Sequence, residues 1–281
     1  MSGPYAMEAF GDAIFFGNVD LGSTVFAPLM TTSYQKAYGN IYTATTDIYT
    51  STYATGIDTV LPSATPIATL FLQNKLPQTA LFNSVAPTGN GATLDGLFAT
   101  ITPPTTPAAQ APLFALGFAA SNYLINNSYR VAYVADAAVH PDGAVPVAST
   151  GLPAAAPANT LRQAFKTNDL RNWVPTAPVM LCGGHSDPTV YYNVNTQVMQ
   201  AFWTPQLASP ALLTVVDVDP GTSSPSGTFA ALQAGFLSAE SATSTVAGGG
   251  ANGQNAVVQA YHGTLVPPFC TKAAQQFFSQ F

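Results

Sequence analysis

The sequence predicts an α/β fold in its C-terminal part, preceded by a mainly helical segment, and three observations support this prediction. Residues 179–182 form a short apolar run between Pro178 and two glycines, which is typical of a strand covered on both faces. A second run of this kind lies at 212–218. In contrast, residues 18–160 show no strand alternation, and their short helical patterns are separated by proline-rich breaks.

The predicted elements of the C-terminal part alternate between helix and strand. In chain order they are a helix at 160–172 with Asn159 as its N-cap, the strand at 179–182, a helix at 191–203, the strand at 212–218, a helix at 226–239, a glycine-rich loop at 248–253 and a last helix at 271–281. This order is typical of the end of a parallel α/β sheet.

The chain is therefore divided into three parts. Residues 1–17 are predicted to be the end of a core strand and a turn, followed at 6–16 by a helical or irregular apolar segment. Residues 18–160 are predicted to be a mainly helical domain, and 161–281 the α/β core. Within the helical domain the clearest helical pattern spans 112–138.

Composition limits the classes of partner. Only 7% of the 281 residues are charged and the net charge is −6, so the chain has no basic patch for nucleic acid or an anionic membrane. A surface so poor in charge is typical of secreted bacterial proteins, and we expect a secreted or periplasmic location with a leader upstream of residue 1. The longest apolar run, 111–120, is too short to span a bilayer. No cofactor is expected.

Asp187 is the first candidate functional residue. It follows the strand at 179–182 within a few residues, after His185 and Ser186. In open parallel sheets the chemistry lies beyond the carboxyl ends of the strands, which makes this carboxylate a candidate. The alternative is that Asp187 only starts a turn or caps the next helix.

The three histidines have different settings. His262 is expected in a loop just before the terminal helix, exposed at the sheet edge or else buried in a structural role. His140 is expected at the end of a helix, where its ring interacts with the helix dipole. His185 is expected to be structural or to line a substrate.

The two cysteines, Cys182 and Cys270, lie close in sequence to Asp187 and His262, respectively. We expect either a disulfide between the two loops, in an oxidising compartment, or two buried free thiols. Two cysteines alone cannot form a zinc site.

Asp187 followed by His262 is the order in which a serine hydrolase of the α/β type supplies its acid and base. A serine hydroxyl is a weak nucleophile until an imidazole accepts its proton, and a carboxylate must hold the ring in the correct tautomer. The pair alone is a weak signal, and the surrounding sequence strengthens it.

Three segments, GPYAM at residue 3, WVPTAPVMLCGGHSDPTVYYNVNT around Asp187 and YHGTLVPPFC around His262, resemble secreted bacterial α/β-hydrolases of the lipase and esterase type. The resemblance implies an α/β-hydrolase sheet with an inserted helical cap, or lid, at 18–160. It implies that Asp187 and His262 are the catalytic acid and base, and that the substrate is a carboxylic ester or lipid.

The sequence departs from this family in one respect: it contains no G-x-S-x-G, the motif that carries the nucleophile. We therefore expect the serine, the oxyanion hole and the first strands upstream of residue 1, and we expect this chain alone to be inactive. Because the last strands would leave an open sheet edge, the chain is expected to bind that N-terminal segment or to form an oligomer.

Two alternatives come from other classes. One is a non-catalytic secreted binding or surface module with a hydrolase-like fold. The other is a metal-dependent hydrolase using His185, Asp187 and His262, although no rigid ligand spacing supports it.

Overall fold

The structure is a computed structural model that describes residues 4–281, and the chain in it divides into two units. The helical unit is Glu8–Asn168, and the α/β unit is Asp169–Phe281 with the residues before Glu8. The helical unit thus includes a helix on each side of the predicted domain 18–160. Residues 1–3 of the strand end and turn expected at 1–5 lie outside the described residues.

The helical unit is built from short helices and two very short parallel strands. These are α1 (Met7–Phe15), α2 (Ser23–Tyr38), α3 (Ser51–Ala54), α4 (Ile67–Leu72), β1 (Phe82–Asn83), α5 (Ala92–Ile101), α6 (Ala111–Ala115), β2 (Phe118–Ala119), α7 (Asn127–Val139) and α8 (Thr160–Thr167). Many breaks between them coincide with the proline-rich stretches of the sequence.

Helix α1 lies where the sequence predicts a helical or irregular apolar segment, at 6–16. Ala9, Phe10, Ala13 and Ile14 have the spacing of one helical face, and all four are buried. The polar residues of α1 are buried as well, which is possible because other side chains of the helical unit pair with them.

The single helix predicted at 112–138 is divided into α6, β2 and α7. Gly117 packs so closely on Val19 that a Cβ would collide with its side chain, and Asn122 adopts a left-handed conformation with a φ of 56°. Asn126 then caps α7 by accepting a hydrogen bond from the backbone N–H of Tyr129 at 2.7 Å. These local interactions interrupt a pattern whose apolar spacing is helical throughout.

The α/β unit contains the two predicted strands, and both predictions are confirmed. Strands β3 (Val179–Gly183) and β4 (Leu213–Asp217) are parallel, in a register from Val179 opposite Leu213 to Gly183 opposite Asp217. Their carboxyl ends therefore lie side by side.

The helices of the α/β unit are α9 (Thr196–Trp203), α10 (Ala230–Val246), α11 (Gly250–Ala260) and α12 (Val266–Phe278). Helix α9 begins later than predicted because residues 192–195 form turns. The glycine-rich segment 248–253 is only partly a loop: the turn is made at Gly248 and Gly249, which have φ angles of 91° and 68°, and α11 begins at Gly250.

The last helix begins at Val266 rather than at Thr271. Pro267 and Pro268 lie in its first turn, where a residue without an N–H costs no intrahelical hydrogen bond. Between α11 and α12 the chain makes a π-helical turn, Tyr261–Leu265, closed by a hydrogen bond from the N–H of Val266 to the carbonyl of Tyr261.

The core of the α/β unit joins the strands to these helices. Cys182 and Val216 from the strands pack with Phe236 of α10, Tyr261 of the π-helical turn and Val266 of α12. The strand ends and the π-helical turn are thus held against the same apolar cluster. No helix within residues 4–281 is long and apolar enough to cross a bilayer.

Candidate functional site

Asp187 lies in the loop after β3 and is 4% exposed. Its Oδ1 accepts hydrogen bonds from the backbone N–H groups of Thr189 at 2.9 Å and Val190 at 3.0 Å. With these contacts Asp187 starts a turn, which is the alternative that the sequence left open. They also fix the carboxylate in the loop.

The other oxygen of Asp187 faces His262. Oδ2 lies 2.8 Å from Nδ1 of the ring, across 75 residues of sequence. The Asp187 side chain is 2% exposed and that of His262 is 26% exposed. A carboxylate can only accept, so the ring carries its proton on Nδ1, and in the neutral tautomer Nε2 is the basic nitrogen. The structure thus unites the two residues that the sequence singled out.

His262 is placed by the π-helical turn and not, as predicted, by a loop. The turn inserts one residue into what is otherwise a helical path from α11 to α12. Tyr261, just before it, is 2% exposed and points into the core, while His262 remains partly accessible.

Cys182 and Cys270 form a disulfide, with their Cα atoms 5.7 Å apart. The alternative of two free thiols is wrong. Because α12 begins before Cys270, the bond joins the strand β3 to a helix rather than joining two loops. The element that precedes Asp187 is therefore covalently tied to the element that follows His262.

His185 does not join this pair. Its side chain is 56% exposed, and its Nδ1 lies 3.3 Å from Oδ2 of Asp217 at the end of β4. Burial raises the pKa of Asp217 to about 6, although a hydrogen bond from the backbone N–H of Asp219 partly opposes this effect.

The metal hypothesis requires His185, Asp187 and His262 to converge. Within the described part of the chain, no three or more His, Cys, Asp or Glu side chains are grouped so that they could hold an ion. The ring of His185 is paired with Asp217 and the ring of His262 with Asp187, so the three side chains do not form one ligand set.

His140 lies at the C-cap of α7, as expected. Its Nδ1 is 2.9 Å from Oδ1 of Asp136, one turn earlier in the same helix. Its role is local to the helical unit.

Two residues next to the pair were not singled out from the sequence, Asp219 and Tyr261. Asp219 lies in the loop after β4, is 2% exposed, and accepts a hydrogen bond from the hydroxyl of Tyr261. The rule that singled out Asp187, an acid just beyond a parallel strand, applies equally to Asp219 and could have found it. No spacing in the sequence indicates the partner tyrosine.

Glu240 of α10 is a further carboxylate close enough to Asp219 to be affected by its charge. Burial, followed by the charge of Asp219, raises the pKa of Glu240 to about 7. The buried Asp219 thus acts electrostatically on its surroundings.

No family model matches the chain, and no curated protein matches it. The solved structures that resemble it include the rice cell wall degrading esterase LipA from Xanthomonas oryzae, at 18% identity and a TM-score of 0.51, covering 87% of this chain and 48% of that one. A ligand-bound form of that esterase matches at 19% identity and a TM-score of 0.50, covering 83% of this chain and 45% of that one. The chain thus has an esterase-like fold and spans about half the length of these structures.

Proposed function

We propose that this chain supplies the acid, Asp187, and the base, His262, of a serine carboxylic-ester hydrolase. The observation that carries the proposal is the 2.8 Å hydrogen bond from Nδ1 of His262 to the buried carboxylate of Asp187. An imidazole held in this way presents Nε2 as a general base toward a serine hydroxyl, and the carboxylate stabilises the imidazolium that forms.

The nucleophile is proposed to lie on a segment upstream of residue 1. The 281 residues contain no G-x-S-x-G, and the esterase structures are about twice as long as this chain. The pair β3 and β4 makes a sheet of only two strands, and such a sheet is marginal unless further strands or helices cover it. The upstream segment would add strands at the open edge; without it, the chain would associate with itself.

The substrate is proposed to be a carboxylic ester with an apolar acyl group, and the helical unit Glu8–Asn168 is proposed to be its cap or lid. The likeness to an esterase supports the ester bond as the target. The disulfide and the low content of charged residues support a secreted or periplasmic protein.

The test is labelling of the complete gene product with a fluorophosphonate, which reacts with activated serines. We expect the wild type to be labelled on a serine upstream of residue 1 and to hydrolyse p-nitrophenyl esters. Residues 1–281 alone should do neither. His262→Ala should reduce both labelling and hydrolysis by at least about 10³-fold, because the serine loses its general base.

His140→Ala is the matched control, because it removes an imidazole hydrogen-bonded to an aspartate in the helical unit. It should leave the rate unchanged. An esterase activity that survives in His262→Ala would contradict the proposal.

The second candidate is a non-catalytic binding or surface module, which the absence of the nucleophile motif favours. On that hypothesis the wild-type gene product is neither labelled nor active. The same experiment therefore separates the two.

A further inference from the structure

Asp219 is a buried carboxylate whose two oxygens both accept hydrogen bonds. Oδ1 accepts from the N–H of Gly221 at 2.8 Å, and Oδ2 accepts from the Tyr261 hydroxyl and from the N–H of Ser186, the latter at 3.3 Å. A buried charge is costly unless donors converge on it. Three donors converge here, and two of them come from the segments that carry the acid and the base.

The hydroxyl of Tyr261 closes the arrangement. It donates to Asp219 and accepts from the N–H of Ser186 at 3.1 Å. Ser186 directly precedes Asp187, and Tyr261 directly precedes His262. The three groups thus form a closed hydrogen-bonded ring, here called the Asp219 bracket, one residue away from each member of the acid–base pair.

Packing prevents the bracket from relaxing. Tyr261 is 2% exposed, and its ring meets that of Phe236 edge-on with centroids 5.4 Å apart. On the other side its hydroxyl approaches Gly184 so closely that a Cβ there would collide with it. These contacts restrict the position of the hydroxyl.

We propose that Asp219 and Tyr261 are positioning residues that hold His262 in register with Asp187. This inference rests on the proposed function, in which the imidazole must meet a serine that this chain does not carry. The disulfide ties the elements together at a distance of several residues from the pair. The bracket acts on the adjacent backbone, where a displacement of about 1 Å can cost 10²-fold in rate.

The first test is Tyr261→Phe in the complete gene product, which removes the hydroxyl and keeps the ring. We expect kcat for a p-nitrophenyl ester to fall about 10- to 100-fold with little change in KM, because substrate binding is untouched. Asp219→Asn should lower kcat in the same way. The NH2 group of the asparagine side chain would face a backbone N–H where a carboxylate oxygen now accepts a hydrogen bond, that of Ser186 in one orientation and that of Gly221 in the other. Either variant is sufficient if the other does not fold.

Tyr133→Phe is the matched control. The hydroxyl of Tyr133 donates to the buried Asp12 at 2.8 Å in the helical unit, so the substitution breaks the same kind of bond away from the site. It should destabilise the protein without lowering kcat. An equal loss of kcat in Tyr133→Phe, or wild-type kcat in both bracket variants, overturns the proposal.

A second measurement does not depend on turnover. The Nδ1 proton of His262, shared with Asp187, should give a downfield proton resonance in the NMR spectrum of the chain. Tyr261→Phe should broaden or shift it, whereas Tyr133→Phe should not; an unchanged resonance in Tyr261→Phe would count against the bracket.

The outcome for His262→Ala keeps the two proposals apart. If that variant is inactive while the bracket variants behave as wild type, the positioning role fails and the proposed function stands. If His262→Ala is fully active, the proposed function fails first.

Discussion

At the scale of single residues, Asp187 has two functions that use different oxygens. Oδ1 accepts from the backbone at Thr189 and Val190, and Oδ2 accepts from His262. The two interpretations that the sequence left open, a turn-starting residue and a partner of the histidine, therefore hold together. The turn orients the carboxylate for the ring.

Asp187→Asn should separate these functions. The amide oxygen can still accept the backbone N–H groups, while the amide nitrogen faces Nδ1 of His262 and favours the wrong tautomer. We expect the complete gene product to lose about 10³- to 10⁴-fold in kcat/KM, the magnitude known for this change in serine protease triads. Its urea midpoint should stay close to that of the wild type.

Asp187→Ala is the comparison, because it removes both functions. It should lose the same activity and in addition about 1 kcal/mol of stability, as expected when a capping side chain is removed. If Asp187→Asn retained wild-type kcat/KM, the pairing with His262 would have no catalytic role.

The residues of the pair were predictable, and the same rule could have found Asp219, but Tyr261 was not predictable. An acid beyond a parallel strand and a histidine later in the chain leave a pattern in the order of residue types. A hydrogen bond to a tyrosine hydroxyl leaves none, because tyrosine is also a common core residue. Tyr261 could be recognised only once the π-helical turn had placed it against Asp219.

At the scale of elements, the disulfide joins a strand to a helix that lies far along the chain. Cys182 and Cys270 are separated by 88 residues. In the chain-entropy model, closing a loop of this length stabilises the folded state by about 4–5 kcal/mol, although measured values are often smaller. In this model the bond supplies a large share of the free energy of unfolding expected of a domain, about 5–15 kcal/mol.

Reduction should lower the urea midpoint of the wild type markedly. The double variant Cys182→Ala, Cys270→Ala should have a low midpoint in both oxidising and reducing buffer, because it has no bond to lose. Equal midpoints for the wild type with and without reductant would mean that the disulfide does not stabilise the fold.

The sequence predicted the two strands and the cap residue Asn159 correctly but misplaced several helix ends. The ends of a strand are easy to recognise in a sequence when proline and glycine flank it. The break in 112–138 arises from the approach of Gly117 to Val19, a contact that is distant in sequence. A helical pattern carries no information about such contacts.

At the scale of the whole molecule, the surface carries even fewer basic side chains than the composition suggests, because several of them are buried. Arg130, Arg162 and Arg171 are each at most 3% exposed, although the chain has only seven lysines and arginines. Arg162 lies 2.8 Å from Asp12 and 3.2 Å from Glu8 in the helical unit. The expectation of a surface without basic patches is therefore strengthened, and the interior contains ionisable groups that the composition did not indicate.

These groups make stability depend on pH. Burial, followed by the charge of Asp12, raises the pKa of Glu8 to about 8 from its usual 4.5. The folded state therefore binds a proton more tightly than the unfolded state. The stabilisation is complete below about pH 4.5 and is lost as pH rises to about 8, with a slope of at most about 1.4 kcal/mol per pH unit for one proton.

Glu8→Gln should remove this dependence, because glutamine stays neutral. Urea unfolding between pH 5 and 8 should show a free energy of unfolding that falls less steeply in the variant than in the wild type. Asp12, whose pKa is raised to about 6 mainly by burial, contributes only to the lower part of that range. Parallel curves for the two proteins would show that Glu8 does not titrate there.

The acid–base pair, the bracket and the disulfide all lie within Asp169–Phe281. The two proton-handling groups of the proposed triad are thus placed by residues of this one unit. In the proposed enzyme, serine attack would therefore begin only when the upstream segment places a hydroxyl at Nε2 of His262.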